Sequence, residues 1–226
     1  MLRPFVFLLC SIVLMLFGLD SSTSGGIQQG FQPCLSDNQL ARRIISLSSN
    51  YNEAQDAQQI LREKARESST CRQRIIAAVM AAMDKPNLDI SRDQTSYYLW
   101  SEGAVLLGDL KAVESLDFLL SHIKMSDGEF STTLRHQPAL EGIIRMGALA
   151  IPKLTLLLRS DDCETRYYAA RCLFHIGGRS ARRTLQQALR TETDQCVRRF
   201  IVTSLKLLRG IRPKPGEEYS AVFCSS

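Results

Sequence analysis

The chain is poor in the residue patterns that mark chemistry. It has three histidines, His122, His136 and His175, and none stands in a recognised metal-binding motif. H-E-x-x-H, G-x-S-x-G, a Walker-type glycine loop and G-x-G-x-x-G are all missing, so the zinc-protease, hydrolase, P-loop and dinucleotide readings have nothing to rest on. No two cysteines are spaced C-x-x-C, which removes the zinc ribbon and the thioredoxin-like motif. Asn38, Asn50, Asn52 and Asn87 all lack the N-x-S/T context, which leans slightly toward a bacterial periplasm over a eukaryotic secretory route. Beyond the first 20 residues no hydrophobic run is long enough to concern a membrane. Of 226 residues, 45% are hydrophobic and 23% charged, which excludes collagen-like and wholly disordered chains.

The one long apolar run lies at the N-terminus. Arg3 precedes Phe5–Leu19, broken only by Ser11 and Gly18, and small polar residues follow from Asp20 to Gly26. That order predicts a secretory signal peptide over 1–24, cleaved within Ser22–Gly26, and a linker over 25–35. An uncleaved membrane anchor is the alternative. Cys10 follows Leu8 and Leu9 rather than small residues, which speaks against lipidation. The expected location is secreted or periplasmic, with the membrane met only through this segment if it is retained.

Export makes the remaining six cysteines, Cys34, Cys71, Cys163, Cys172, Cys196 and Cys224, candidates for disulfides. Six allow 15 connectivities. Cys172, among Ala169, Ala170, Leu173 and Ile176, reads as a small buried hydrophobe. Two pairs are expected. Cys34–Cys71 would join a turn before the first helix to the start of a later one. Cys163–Cys196 would join two helix starts that are 33 residues apart in a repeat of 32, one position out of register. Charge is uneven as well. Residues 27–160 hold 15 Lys and Arg against 15 Asp and Glu, whereas residues 161–226 hold 12 against 7. Nucleic acid is not the expected partner, because an exported protein seldom meets it and no aromatics are interleaved for base stacking. A solvated helix face explains the excess most simply; an acidic partner protein or an anionic envelope surface is the other account.

Apolar residues from 36 onward recur at spacings of three and four, as in Leu40, Ile44, Ile45, Leu47 and in Ile75, Ile76, Val79, Met80, Met83. Breakers separate the runs at Lys85-Pro86-Asn87, Ser126-Asp127-Gly128, Gly177-Gly178, Pro213 and Pro215. Ser36-Asp37-Asn38 and Ser91-Arg92-Asp93 offer helix N-caps. The pattern predicts an all-α chain of about ten helices of 10–18 residues. It also repeats. Thirty-two residues after Thr165-Arg166, Leu173 and Ile176 come Val197-Arg198, Leu205 and Leu208, and Leu107-Gly108 and Met146-Gly147 open similar units upstream. Helix, glycine-marked turn, helix and polar turn at a period of about 30–40 residues signal an α-solenoid.

At these residues the sequence resembles the HEAT-repeat family, and its short HEAT-like, bilin-lyase-type subclass in particular. Pro152 to Gly177 follows the family pattern P-x-L-x-x-L-L, polar turn with Asp, V-R-x-x-A-A-x-A-L-x-x-I-G, with Thr165 for Val and Cys172 for Ala. The unit over 181–208 keeps Val197-Arg198 but ends on Arg209 where the glycine is expected, and the 93–123 unit has Tyr97 in place of the arginine. The resemblance implies a right-handed α-solenoid of antiparallel helix pairs: HEAT-like repeats over 92–210, divergent capping helices over 36–91 and a tail over 211–226. It also implies a structural ladder in which Arg166 and Arg198 bond aspartates of the polar turns, drawn from Asp161, Asp162 and Asp194.

Candidate binding residues come from two places. Tyr97-Tyr98-Leu99-Trp100-Ser101-Glu102 sets Glu102 in an otherwise apolar helix, four residues from Tyr98 and on its face. Trp100 is expected inside the core. With Arg171 and Arg199 further along, Tyr97, Tyr98 and Glu102 form the expected protein-binding surface on a concave face. The polar Lys124–Thr133 segment is longer than its counterparts. No catalytic residue, cofactor or metal is expected. The expected function is a non-catalytic scaffold binding another protein, acidic if the basic last third makes the contact. A bilin or chromophore lyase and a structural envelope module are the alternatives.

Overall fold

The computed structural model describes residues 34–128 and 133–211. The expected signal peptide, most of the linker, all but the first residue of the tail, Cys224 and part of the Lys124–Thr133 segment lie outside them. The described residues are all-α, with no strand. Ten α-helices follow one another: α1 Asp37–Leu47, α2 Tyr51–Glu67, α3 Ser69–Met83, α4 Gln94–Asp109, α5 Leu116–Ser121, α6 Pro138–Met146, α7 Ile151–Leu157, α8 Cys163–Ile176, α9 Gly178–Thr191 and α10 Gln195–Leu207. Short 3-10 turns lead into α5, α6 and α7.

Local chemistry explains most of the boundaries. Ser36 and Gln39 form a reciprocal capping box at α1. Asn50, Ser68, Asp93, Asp162 and Asp194 each accept a first-turn backbone N–H of α2, α3, α4, α8 and α10. Hydrogen bonds from Thr95 and Ser96 hold the Asp93 carboxyl down to about 2. Gly177 ends α8 at φ +65°, ψ −159°, a conformation that side chains with a Cβ avoid.

Tertiary packing sets the helices in a row. α4 lies along α6, α6 along α8 and α8 along α10, while α5, α7 and α9 pack against the same row and α7 touches α9. The helices α1, α2 and α3 pack on one another and on α4. Trp100 is 1% exposed and stacks on Phe118 with ring centroids 5.4 Å apart, so it belongs to the core as expected. Ala169 and Ala170 are fully buried in α8.

The closest approach is between α4 and α6, where small residues replace side-chain packing. A Cβ on Gly142 would fall 2.7 Å from the carbonyl oxygen of Ala104, and one on Gly108 would fall 2.5 Å from that of Gly142. These obstacles are backbone atoms, which cannot swing aside. Gly142→Ala is therefore expected to lower stability by about 1–3 kcal/mol, the scale of overpacking a tight contact. A urea midpoint unchanged from the parent would show that α4 and α6 are not this close.

Candidate functional site

That close approach sets the polar side chains of α4 beside those of α6, and α2 closes the other side. The three helices border a cleft of about 650 Å³. From α2 come Tyr51, Gln55, Gln58 and Arg62, at the four-three-four spacing of one helix face; from α4 come Ser101, Glu102, Val105 and Asp109; from α6, Glu141 and Arg145. Thr133, Leu134 and Arg135, just before α6, complete the lining.

Glu102 is the deepest charge, with 5% of its surface exposed. Its Oε2 accepts hydrogen bonds from Gln55 Nε2 (2.9 Å) and Gln58 Nε2 (2.6 Å), and Gln58 also donates to the Glu102 backbone carbonyl at 2.8 Å. Gln58 is itself fully buried. Burial pushes the Glu102 carboxyl above the ordinary range; Arg135 pulls it back, Glu141 raises it further, and Arg62 and Arg145 oppose that.

The remaining charges form a chain across the cleft. Arg62 Nη2 meets Asp109 Oδ2 at 2.9 Å and also donates to Gln58 Oε1. Asp109 Oδ1 accepts from Arg145 Nη1 at 3.0 Å, and Arg145 Nη2 donates to Glu141 at 2.9 Å. Arg135 stands apart. Its guanidinium lies over the Tyr51 ring, 5.7 Å from the centroid, and makes no ion pair among the described residues, while its backbone carbonyl accepts from the Tyr97 hydroxyl at 3.2 Å.

The five expected binding residues are not brought together. Glu102 lines the cleft. Tyr97 and Tyr98 are half-buried, edge to face at 5.6 Å, and neither lines it. Arg199 is exposed on α10, outside the cleft. Arg171 is a correction: it is 7% exposed and donates to Gln137 Oε1 at 2.5 Å, so it ties α8 to the start of α6 instead of facing a partner.

The expected ladder of arginines on aspartate side chains is not formed. Arg166 donates through Nε and Nη2 to the two carboxylate oxygens of Glu192, both at 2.9 Å, and through Nη1 to the carbonyls of Ser160 and Asp161. Its acidic partner is thus a glutamate, and Asp161 contributes only its backbone. Asp162 caps α8 and pairs with Lys124; Asp194 caps α10 through Val197 N–H. Arg198 donates to the carbonyls of Leu189 and Glu192, not to an aspartate. An aspartate that accepts the first-turn N–H groups has its carboxylate turned to its own helix, which leaves the longer Glu192 to reach across.

The cysteine expectations divide. Cys34 and Cys71 form a disulfide with Cα atoms 5.3 Å apart, and beside it Arg74 bonds the Leu35 carbonyl and the Asp37 carboxylate. Cys163 is a free thiol, so the expected Cys163–Cys196 bridge is not formed. Cys163 is the first residue of α8 and Cys196 the second of α10. One helical residue turns a side chain by about 100°, so the one-position offset sets the two cysteines at different angles on their helices. Cys172 is fully buried, which pushes its thiol well up.

Gln55, Gln58, Arg62, Arg135, Glu141 and Arg145 were not among the sequence candidates. The available signal was the polar stripe Tyr51, Gln55, Gln58, Arg62 running beside the buried stripe Ala54, Ala57, Leu61, Ala65 on one helix. Among the described residues no group of three or more His, Cys, Asp or Glu could hold a metal ion, and no helix is long and apolar enough to cross a membrane. No protein-family model matches the chain, and no curated protein or solved structure does.

Proposed function

We propose that the chain is a HEAT-like α-solenoid scaffold that binds another protein outside the cytoplasm and has no catalysis of its own. One observation carries this reading: the cleft across α2, α4 and α6 is lined with arginines and a tyrosine, the side chains that dominate interface energetics. The row of successive helix pairs supports the repeat architecture, since stacked pairs present extended surfaces. The Cys34–Cys71 disulfide supports an oxidising compartment. Exposed Arg179, Arg183, Arg190 and Arg199 on α9 and α10 offer a basic flank to an acidic partner.

The test is chemical crosslinking of the tagged full chain in its native host, followed by reconstitution with the purified crosslinked protein. A one-to-one complex that weakens as salt rises is expected. A chain that crosslinks to nothing, or whose crosslinked protein does not bind it after purification, rules out the scaffold reading.

A further inference from the structure

Resting on the scaffold reading, we propose that the cleft captures a basic side chain of the partner, a lysine ammonium or arginine guanidinium, against the Glu102 carboxylate, while Arg135 takes a neighbouring carboxylate of the same segment. Pairing within the cleft leads to this assignment. Arg62, Asp109, Arg145 and Glu141 neutralise one another in sequence, each within 3.0 Å of the next. Among the described residues two charges are left without an ion pair, Glu102 and Arg135, one of each sign and acting on each other only at longer range. A ligand that pairs with both of them carries both signs.

The Glu102 carboxylate has a direction as well as a charge. Gln55 and Gln58 both serve Oε2, and Oε1 accepts no hydrogen bond from the described residues. The one sealed side-chain nitrogen or oxygen without a partner among the described residues is Arg62 Nε. Oε1 is therefore open, and it opens on the cleft that Glu102 lines. An anion would be repelled there. A cation donating to Oε1 supplies at hydrogen-bond distance the counter-charge that Arg135, Arg62 and Arg145 offer only from further away, and hydrogen bonds between charged groups in such a site are the strong ones. At about 650 Å³ the cleft has room for such a side chain and its neighbours.

The arrangement also sets a pH dependence. The charged groups acting on Glu102 are Arg135, Glu141, Arg62 and Arg145, and burial outweighs them, so the carboxyl holds its proton above the usual range. A cation binds the ionised form, so binding releases that proton and tightens as pH rises. The same shift works against the empty fold. The stability that protonated Glu102 contributes is fully present below the ordinary carboxylate range and is lost as pH rises through the raised pKa. Glu102→Gln keeps an oxygen for Gln55 and Gln58 and should melt at or above the parent temperature at pH 8, with the difference shrinking toward pH 4.

The full chain, with its disulfide intact, is panned at pH 7.5 against a phage-displayed library of random 12-residue peptides. Enriched peptides are expected to share a Lys or Arg beside an Asp or Glu. Binding of the consensus peptide should fall at least ten-fold in Glu102→Gln, and again between pH 7.5 and pH 5. Arg135→Glu, on an exposed residue, should remove the preference for the acidic neighbour and decides the matter should Glu102→Gln fail to fold. No enrichment, enrichment without a basic residue, or equal binding by both variants overturns the proposal. Peptides that bind elsewhere would leave the scaffold reading standing, whereas that reading falls with the crosslinking result.

Discussion

Arg166→Ala is expected to lower the unfolding free energy by about 2–4 kcal/mol. The Glu192 side chain is only 3% exposed and Arg166 14%, with two parallel N–H···O bonds of 2.9 Å between them. Removing one member of such a pair leaves a buried charge uncompensated, a loss of about 3–5 kcal/mol when nothing else serves it. Here the backbone N–H groups of Thr193 and Asp194 still reach Glu192 Oε1 at 3.1 and 2.9 Å, which lowers the expectation. The arginine also holds the carbonyls of Ser160 and Asp161, so its loss loosens the turns before α8 and α10 together. Urea unfolding of the parent, Arg166→Ala, Glu192→Gln and the double variant closes a cycle. The double variant should recover part of the single loss, because it removes the stranded charge. A single-variant loss under 0.5 kcal/mol would make the pair a surface ornament.

Breaking the Cys34–Cys71 disulfide is expected to destabilise the fold by about 3–4 kcal/mol, the chain-entropy figure for closing a loop of this length. The bond spans 37 residues of sequence and fastens the residue three before α1 to the start of α3. Arg74 bridges the same two segments through Leu35 and Asp37, but the Asp37 side chain is almost fully exposed, so that ion pair cannot replace the covalent link. Unfolding of the full chain with and without reductant measures the effect, and Cys34→Ser, which leaves the buried Cys71 in place, should reproduce it. Hydrogen exchange should then rise first in α1. An unfolding midpoint indifferent to reductant would mean that packing of α1 on α2, α3 and α4 already fixes this end.

These two sites differ in how far the sequence foretold them. The arginine at 166 stands out by its place in a repeat, and in the fold it bonds the turn carbonyls of Ser160 and Asp161. Its partner was expected to be an aspartate. Asp162 and Asp194 are spent on their own helix starts and Asp161 offers only its carbonyl, so which carboxylate crosses between turns is a matter of reach. The cysteines show the same limit. Both expected pairs joined chain turns at plausible separations, yet Cys34 and Cys71 meet while Cys163 remains a thiol. A shift of one residue along a helix start rotates the side chain, and separation alone does not report that.

By itself the sequence determined what depends on near neighbours. Apolar spacing made the described chain all-helical. Ser36, Asp93 and Gly177 set helix ends, because caps and positive-φ turns are completed within about four residues. An acid inside the apolar run of α4 marked Glu102 as unusual. Only the tertiary structure decided what Glu102 meets. Gln55 and Gln58 are 47 and 44 residues away, and Arg62 faces Asp109 across the same gap between α2 and α4. Likewise Arg171 reads as a surface residue until Gln137, 34 residues earlier, is found against it. Periodicity says which side of a helix is apolar; it does not say which other helix covers the polar side. Between α4 and α6 it was settled by the close fit of Gly108 and Gly142, where the absence of two Cβ atoms lets backbones approach and sets Asp109 against Arg145.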